Sequence, residues 1–285
     1  MSSTLYASAD SPRLLIIGAH PDDAEYHAGG LASIYRQLGR CVKLVSVTDG
    51  GAGHFRRSAD ELITARREES VAAGKIIGAE YESLGFSDGQ LVPSVEVRHS
   101  IIREMREFRP DLVLTHRTCD YHPDHRATGQ AVQDASYLVT VPLVLPEFPP
   151  LYRAPVFAYM TDLFTRPTRL RVDVALEVES QMDKIVRMLA CHHTQVFEWL
   201  PYHADTLETI PDRAEDRVKW LQDWYSDRAI QKSDHFREEL QTIFGNDVGG
   251  SIRFVELFEI SEYGSPANQS RLRDLFPGAS FPGVQ

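Results

Sequence analysis

Leu14-Leu15-Ile16-Ile17-Gly18-Ala19-His20-Pro21-Asp22-Asp23-Ala24-Glu25 is the stretch that decides the fold of this chain. Its apolar opening reads as a buried strand. Leu31, Ile34, Tyr35 and Leu38, closed by Gly39, follow at helical spacing. A histidine and two aspartates therefore stand where a strand passes into a helix, and packing alone does not account for them.

The pattern repeats outward from that stretch. Strands are predicted over 13–19, 42–48, 81–84 and 111–116, and helices over 59–77, 95–108 and 124–138, with the first helix placed at 31–38. Strict alternation implies a mostly parallel sheet with right-handed crossovers, flanked by helices, so the fold class is α/β and Rossmann-like. The later part is less regular. Residues 142–155 hold five prolines and read as a surface loop. Strands are expected at 156–161, 170–175 and 252–260, a helix at 177–191, and a long charged helical stretch at 213–244. The implied organisation is a flexible segment 1–12, one domain 13–264 and an extended tail 265–285. Within the domain, residues 13–141 form the core and 142–264 complete the pocket on the substrate side.

Composition narrows the partners. The 285 residues are 42% hydrophobic and 25% charged, with a net charge of −11. That balance disfavours nucleic acid and anionic lipid, which reward clustered Lys and Arg. The N-terminus has neither a basic nor an apolar signal region, and no apolar run reaches the ~20 residues of a membrane span. Cys41, Cys119 and Cys191 are scattered, which points to a reducing, cytoplasmic setting and to no cysteine zinc site.

A second polar cluster, Asp120-Tyr121-His122-Pro123-Asp124-His125, follows the fourth strand. In a sheet wound outward from its first strand, strands one and four are neighbours, and the crevice at their carboxyl ends is where ligands bind. Two His/Asp clusters about 100 residues apart thus face one another. Two histidines and a carboxylate with open positions make a catalytic metal site. Zinc is favoured, and iron(II), manganese or cobalt could use the same donors. Such an ion would lower the pKa of water to about 7. The surplus carboxylates and imidazoles suit proton transfer and oxyanion stabilisation.

At these residues the sequence resembles the LmbE-like, or PIG-L, zinc-dependent N-deacetylases. The family motif A-H-P-D-D-x-E is matched by Ala19 to Glu25, and H-P-D-H by His122 to His125. Arg66-Arg67-Glu68-Glu69, Gly85 to Gly89, Val172-Asp173 with Lys184, His192-His193-Thr194-Gln195, and Val255-Glu256-Leu257-Phe258 resemble its further motifs in order. The resemblance implies that His20, Asp23 and His125 ligate zinc and that Asp22 is the base acting on metal-activated water. It implies that His122 stabilises the oxyanion or acts as acid, oriented by Asp124. It places Arg66 and Asp88 on the sugar. The implied reaction is removal of the N-acetyl group from an N-acetylglucosamine-type sugar or conjugate, a small-molecule amino-sugar substrate. An amidase acting on a larger N-acyl amino sugar would use the same residues, and a non-catalytic sugar-binding protein is disfavoured by the presence of Asp22 and His122. The resemblance also suggests a homo-oligomer.

Simpler readings stand beside these. Asp22-Asp23 and Asp124 could be helix N-caps. His116 could cap the sheet, and His99, His203 and His235 read as ordinary surface or hydrogen-bonded residues. His54, in the glycine-rich loop 49–54, and His192, after a helix, are candidates for the substrate side of the pocket. That loop lacks G-x-G-x-x-G spacing, so nucleotide binding is not expected. Trp199, Trp220 and Trp224 read as core or interface residues.

Overall fold

A computed structural model describes residues 11–283. The expected flexible segment 1–12 therefore lies almost wholly outside the described residues. The first half alternates as the sequence predicts: β1 (Leu14–Gly18), α1 (Asp23–Gln37), β2 (Val42–Thr48), α2 (Ala59–Ile77), β3 (Glu80–Phe86), α3 (Val95–Phe108), β4 (Leu112–Thr115) and α4 (Pro123–Leu138). The second half supplies β5 (Val156–Met160), β6 (Val174–Glu177), α5 (Met182–Leu189), α6 (Leu200–His203), α7 (Ala214–His235), α8 (Arg237–Phe244), α9 (Asn246–Ser251), β7 (Val255–Gly264) and α10 (Gln269–Leu275). One seven-stranded sheet results, in the order β3-β2-β1-β4-β5-β7-β6. The first five strands are parallel and β7 is antiparallel to both its neighbours. β1 lies between β2 and β4, with Ile17 beside Thr115, so the predicted switch point is formed.

Local chemistry sets the helix ends. Ser58 and Glu61 form a reciprocal capping box at the start of α2, and Gly78 closes it at φ 74°. Ser94 caps α3. α1 begins eight residues earlier than its apolar spacing suggests and is broken at Ala28 (φ −144°). Its second half has a fresh N-terminus, and the buried Glu256 of β7 accepts hydrogen bonds there from Gly30 N (2.6 Å) and Leu31 N (2.9 Å). A carboxylate at a helix start satisfies otherwise orphaned donors.

Two further differences from expectation have clear causes. The strand expected at 170–175 begins at Val174, because Leu170 and Val172 pack with Phe236 and Leu240 instead of entering the sheet. The tail from residue 265, expected to be extended, carries α10, capped by the Asn268 side chain. Leu275, Phe276 and Phe281 are buried, and Tyr35 donates to Leu275 O. Its apolar residues hold it against α1 and β6.

The proline-rich loop is ordered by one side chain. The buried Arg106 guanidinium donates to the carbonyls of Leu138, Val139, Val141, Val144, Leu145 and Phe148. Replacing Arg106 by Met leaves those acceptors without their donor. The expected loss is roughly 2–4 kcal/mol of unfolding free energy. Chemical denaturation measures it; a loss near zero would show that the loop holds itself.

Candidate active site

The two histidine loops meet at the carboxyl ends of β1 and β4. Gly18, last in β1, has Asp23 Cβ where its own Cβ would stand, 2.6 Å away, so the turn into α1 closes directly on the strand. Asp23 Oδ2 accepts the His20 N–H at 2.7 Å. Asp22 adopts φ 110°, a left-handed conformation costing a non-glycine residue roughly 1–3 kcal/mol, and its side chain makes no cap bond. The N-cap alternative for the Asp pair therefore fails. On α4, His122 is the N-cap, its Nδ1 accepting Asp124 N–H at 3.2 Å, with Pro123 in the first turn.

His20 Nδ1 lies 3.2 Å from His125 Nε2. Asp23 completes the triangle, with Oδ2 3.6 Å from His20 Nδ1 and Oδ1 3.4 Å from His125 Nε2. Donors on a tetrahedral ion at its usual bond lengths are roughly 3.3 Å apart, a spacing that His20 Nδ1 and His125 Nε2 have, while Asp23 turns a different oxygen to each imidazole. Among the described residues the donor atoms that converge closely enough for one ion are those of His20 with His122 and His125, of Asp23 with His116 and His125, and of His20 with Asp88 and Asp124; the expected trio of His20, Asp23 and His125 spans these groups and is not itself one of them. The backing is carboxylate. Asp120 Oδ1 lies 3.1 Å from His125 Nδ1. Asp88 and Asp124 lie 3.3 and 3.4 Å from His20 Nε2, a buried nitrogen that forms no well-aligned hydrogen bond. Carboxylates behind ligating imidazoles are the usual outer support of a metal.

The electrostatics favour a cation at this point. Burial pulls His20 down, but Asp124, Asp23 and Asp88 outweigh it and raise its pKa well above the ordinary value. Burial likewise opposes the charge of His125, yet Asp23 and Asp120 lift it to about 9. Burial raises Asp22 to about 7, helped by the negative charge of Asp23. Burial lowers His122, and the neighbouring His20 and His125 lower it further.

A cleft of about 470 Å³ opens over this cluster. Its floor is His20, Asp22, Asp23, Asp120 and His125. The walls come from α1, from the segment after β5, and from α6 and α7, and include Tyr26, Phe164, Gln195, His203, Trp224, Arg228 and Lys232. None of the four residues expected on the substrate lines it. Arg66 is buried beneath the glycine-rich loop, donating to Gly53 O and Gln195 Oε1. Gly50 (φ 70°) is required there, because a Cβ would meet Arg66 Cδ at 2.6 Å. Asp88 holds Ala52 N and faces His20, away from the cleft. His54 pairs with Glu198 at 2.8 Å, and His192 is buried against Glu25 at 2.8 Å. Each is hydrogen-bonded or ion-paired to the floor or its loops. The Asp124 carboxylate also differs from expectation. It accepts Gly89 N and Leu91 N and backs His20, and only its backbone N–H reaches His122.

Several residues escaped sequence reasoning. His116 stacks on His125 (centroids 4.0 Å apart, 11° between planes) and reaches Asp23 Oδ2 at 3.1 Å. Its place at the end of β4 was the available signal. Asp120 stands two residues before His122 in the motif itself. Trp224, Arg228 and Lys232 gave no signal, because they enter the site from a distant helix.

Comparison with known proteins agrees with this architecture. The sequence model of the PIG-L: GlcNAc-PI de-N-acetylase family matches residues 15–136, which include both histidine motifs. An uncharacterized deacetylase, YaiS, from Escherichia coli is 33% identical over 153 residues, 51% of this chain and 78% of that protein. The 4-oxalmesaconate hydratase of Pseudomonas putida is 24% identical over 66% of this chain and 76% of its own length. A probable N-acetyl-alpha-D-glucosaminyl L-malate deacetylase 2 from Bacillus anthracis is 26% identical over 73% of this chain and 94% of its own. Among solved structures, the N,N'-diacetylchitobiose deacetylase of Pyrococcus horikoshii superposes with a TM-score of 0.66 at 21% identity, covering 88% of this chain and 84% of that one. The 4-carboxy-2-hydroxymuconate hydratase GalB of P. putida gives 0.68 at 20% identity, covering 90% and 99%. Both share the fold. From the matched family model, the motifs within it and the E. coli relative, the chain belongs to the PIG-L family.

Proposed function

We propose that the protein is a metal-dependent hydrolase that removes the N-acetyl group from an N-acetylglucosamine-type sugar or conjugate. The observation that carries this reading is the Asp22 carboxylate, held on strained backbone, without a hydrogen bond, beside the converging His20, Asp23 and His125. Those three residues would hold the ion, zinc by preference with iron(II), manganese or cobalt as alternatives. When bound, it supplies a Lewis acid that polarises the carbonyl and acidifies water.

The remaining residues divide the proton work. Asp22 takes a proton from the attacking water as its oxygen bonds to the acetyl carbon. His122 Nδ1 accepts Asp124 N–H, so the neutral ring carries its proton on Nε2. That N–H is available to the developing oxyanion or to the leaving nitrogen. The C–N bond breaks, and acetate and a free amine leave. Asp120, Asp88 and Asp124 fix the two imidazoles behind the site.

One observation favours a second reading. Proteins named as hydratases match this chain over most of its length in sequence and in structure. The same water-activating groups could add water to the double bond of an unsaturated acid. Metal analysis of the purified protein, with amine release from methyl N-acetylglucosaminide, diacetylchitobiose and an N-acetylglucosamine–malate conjugate, tests the first reading. Amine release that disappears with chelation and returns with zinc is the expected result. No release from any of these, together with loss of the diene absorbance of an oxalmesaconate-type acid, would overturn it in favour of hydration.

A further inference from the structure

We propose that Arg228 and Lys232 form an anion subsite in the cleft, so that the substrate carries an oxyanion group, carboxylate or phosphate, away from the reacting bond. The inference takes the cleft as the substrate site of the enzyme proposed above, and otherwise stands apart from which bond reacts.

The two residues are four apart on α7 and so share one helix face. Both line the cleft that contains His20, Asp22 and Asp23. Their pairing is unusual for this protein. The other buried cations are each held by protein acceptors: Arg66 by Gly53 O and Gln195, Arg106 by six carbonyls, Arg117 by Asp162 through two nitrogens, and Lys43 by Glu82 and Glu104. Neither Arg228 nor Lys232 has a carboxylate within ion-pair distance among the described residues. Arg228 stacks on Trp224, its carbon Cζ 3.7 Å from the ring centroid, and has one 3.3 Å bond to the Trp224 carbonyl in its own helix. Lys232 is 8% exposed and forms no hydrogen bond; its Nζ stands 5.9 Å from the Tyr26 ring centroid. The carboxylate that acts on it electrostatically, Glu256, has its oxygens taken by Gly30 N and Leu31 N.

A purely structural role for these cations fits poorly. Lysine and arginine stems can serve as packing, but then the charged head reaches water. Here Lys232 is 8% exposed and its head opens onto the cleft alone, so the ammonium is largely dehydrated with no counter-charge, which is costly. A substrate anion removes that cost. The arginine fork offers directed donors and the lysine a point charge. Trp224, Phe164 and Leu200 line the same cleft and lower the local polarity, which strengthens the attraction.

The test is calorimetric binding to the full-length, metal-loaded protein, with succinate, its neutral isostere succinamide, and methyl phosphate as probes. Succinate or methyl phosphate is expected to bind at least about tenfold more tightly than succinamide, and R228Q and K232M are each expected to weaken that binding by about tenfold or more. Whichever anion binds identifies the source. R228Q, at a half-buried position, keeps the measurement interpretable if K232M does not fold. Equal binding of succinate and succinamide would overturn the proposal. So would anion binding that survives both substitutions, since it would then rest on the metal alone, and so would failure of both anions to bind. Because the readout is binding and no probe is an N-acetylated sugar, absence of amidohydrolase activity does not affect this result. With an active enzyme, the same substitutions lower the ratio of kcat/KM for an N-acetylglucosamine–malate conjugate over that for its dimethyl ester, mainly through KM.

Discussion

Asp22→Asn is expected to lower kcat by roughly 10²–10⁴-fold with the metal content unchanged, the range a positioned general base contributes. The substitution is nearly isosteric, and asparagine tolerates the left-handed conformation that Asp22 adopts at φ 110°. The lost carboxylate makes no hydrogen bond to the protein, so little folding energy goes with it. Among the described residues, what disappears is the carboxylate of the floor that has no backbone or imidazole partner. Asp23 is held by His20 N and His116, Asp120 by His125, and Asp124 by Gly89 and Leu91. Steady-state amine release with parallel metal analysis decides it. A variant within about threefold of the parent, with its metal retained, would move the base role elsewhere.

His125→Ala is expected to empty the metal site and reduce activity to background, a loss beyond roughly 10⁴-fold. His125 Nε2 contacts both other donors, so its removal leaves a two-donor remnant. The stoichiometry of tightly bound metal after dialysis is the direct measurement. His116→Ala provides the contrast. His116 stacks on His125 and touches the Asp23 carboxylate, and an outer support of this kind typically costs 10–100-fold. If His116→Ala removes the ion and His20→Ala leaves it bound, the donors are Asp23, His116 and His125 instead, the alternative grouping the geometry also offers.

Much of this arrangement is legible in the sequence, for a physical reason. A parallel sheet repeats a simple period, so its strands, its helices and its switch point follow from apolar spacing and glycine punctuation. Most of the floor is legible too, because His20, Asp22, Asp23 and His125 sit within two short loops at strand ends; Asp120 lies in one of them but is missed as a support. The walls are not. Arg66, Asp88, His54 and His192 carry the right chemistry for a pocket, but hydrogen bonds to Gln195, Ala52, Glu198 and Glu25 turn them into supports. Those partners lie up to 167 residues away, beyond any local pattern. Trp224 reads as core or interface and Arg228 and Lys232 carry no sequence signal; it is the packing of α7 on α5 and β7, with Tyr225 donating to Tyr26 O, that brings them into the cleft. Helix α10 was hidden among prolines and glycines, and its two apolar residues, Leu272 and Leu275, are too few to show a period.

The break in α1 bears on how the enzyme is made on the ribosome. The loop carrying His20, Asp22 and Asp23 is synthesised first, but Glu256, which secures the helix behind it, emerges after nine-tenths of the chain. A nascent chain therefore holds both histidine motifs long before it can lock them together. A fragment ending at residue 141 retains every proposed metal donor. It is expected to bind zinc at least about a hundredfold more weakly than the full chain, since part of the binding energy must then fold the site. Equal affinity in a competition titration would show that the first half matures alone.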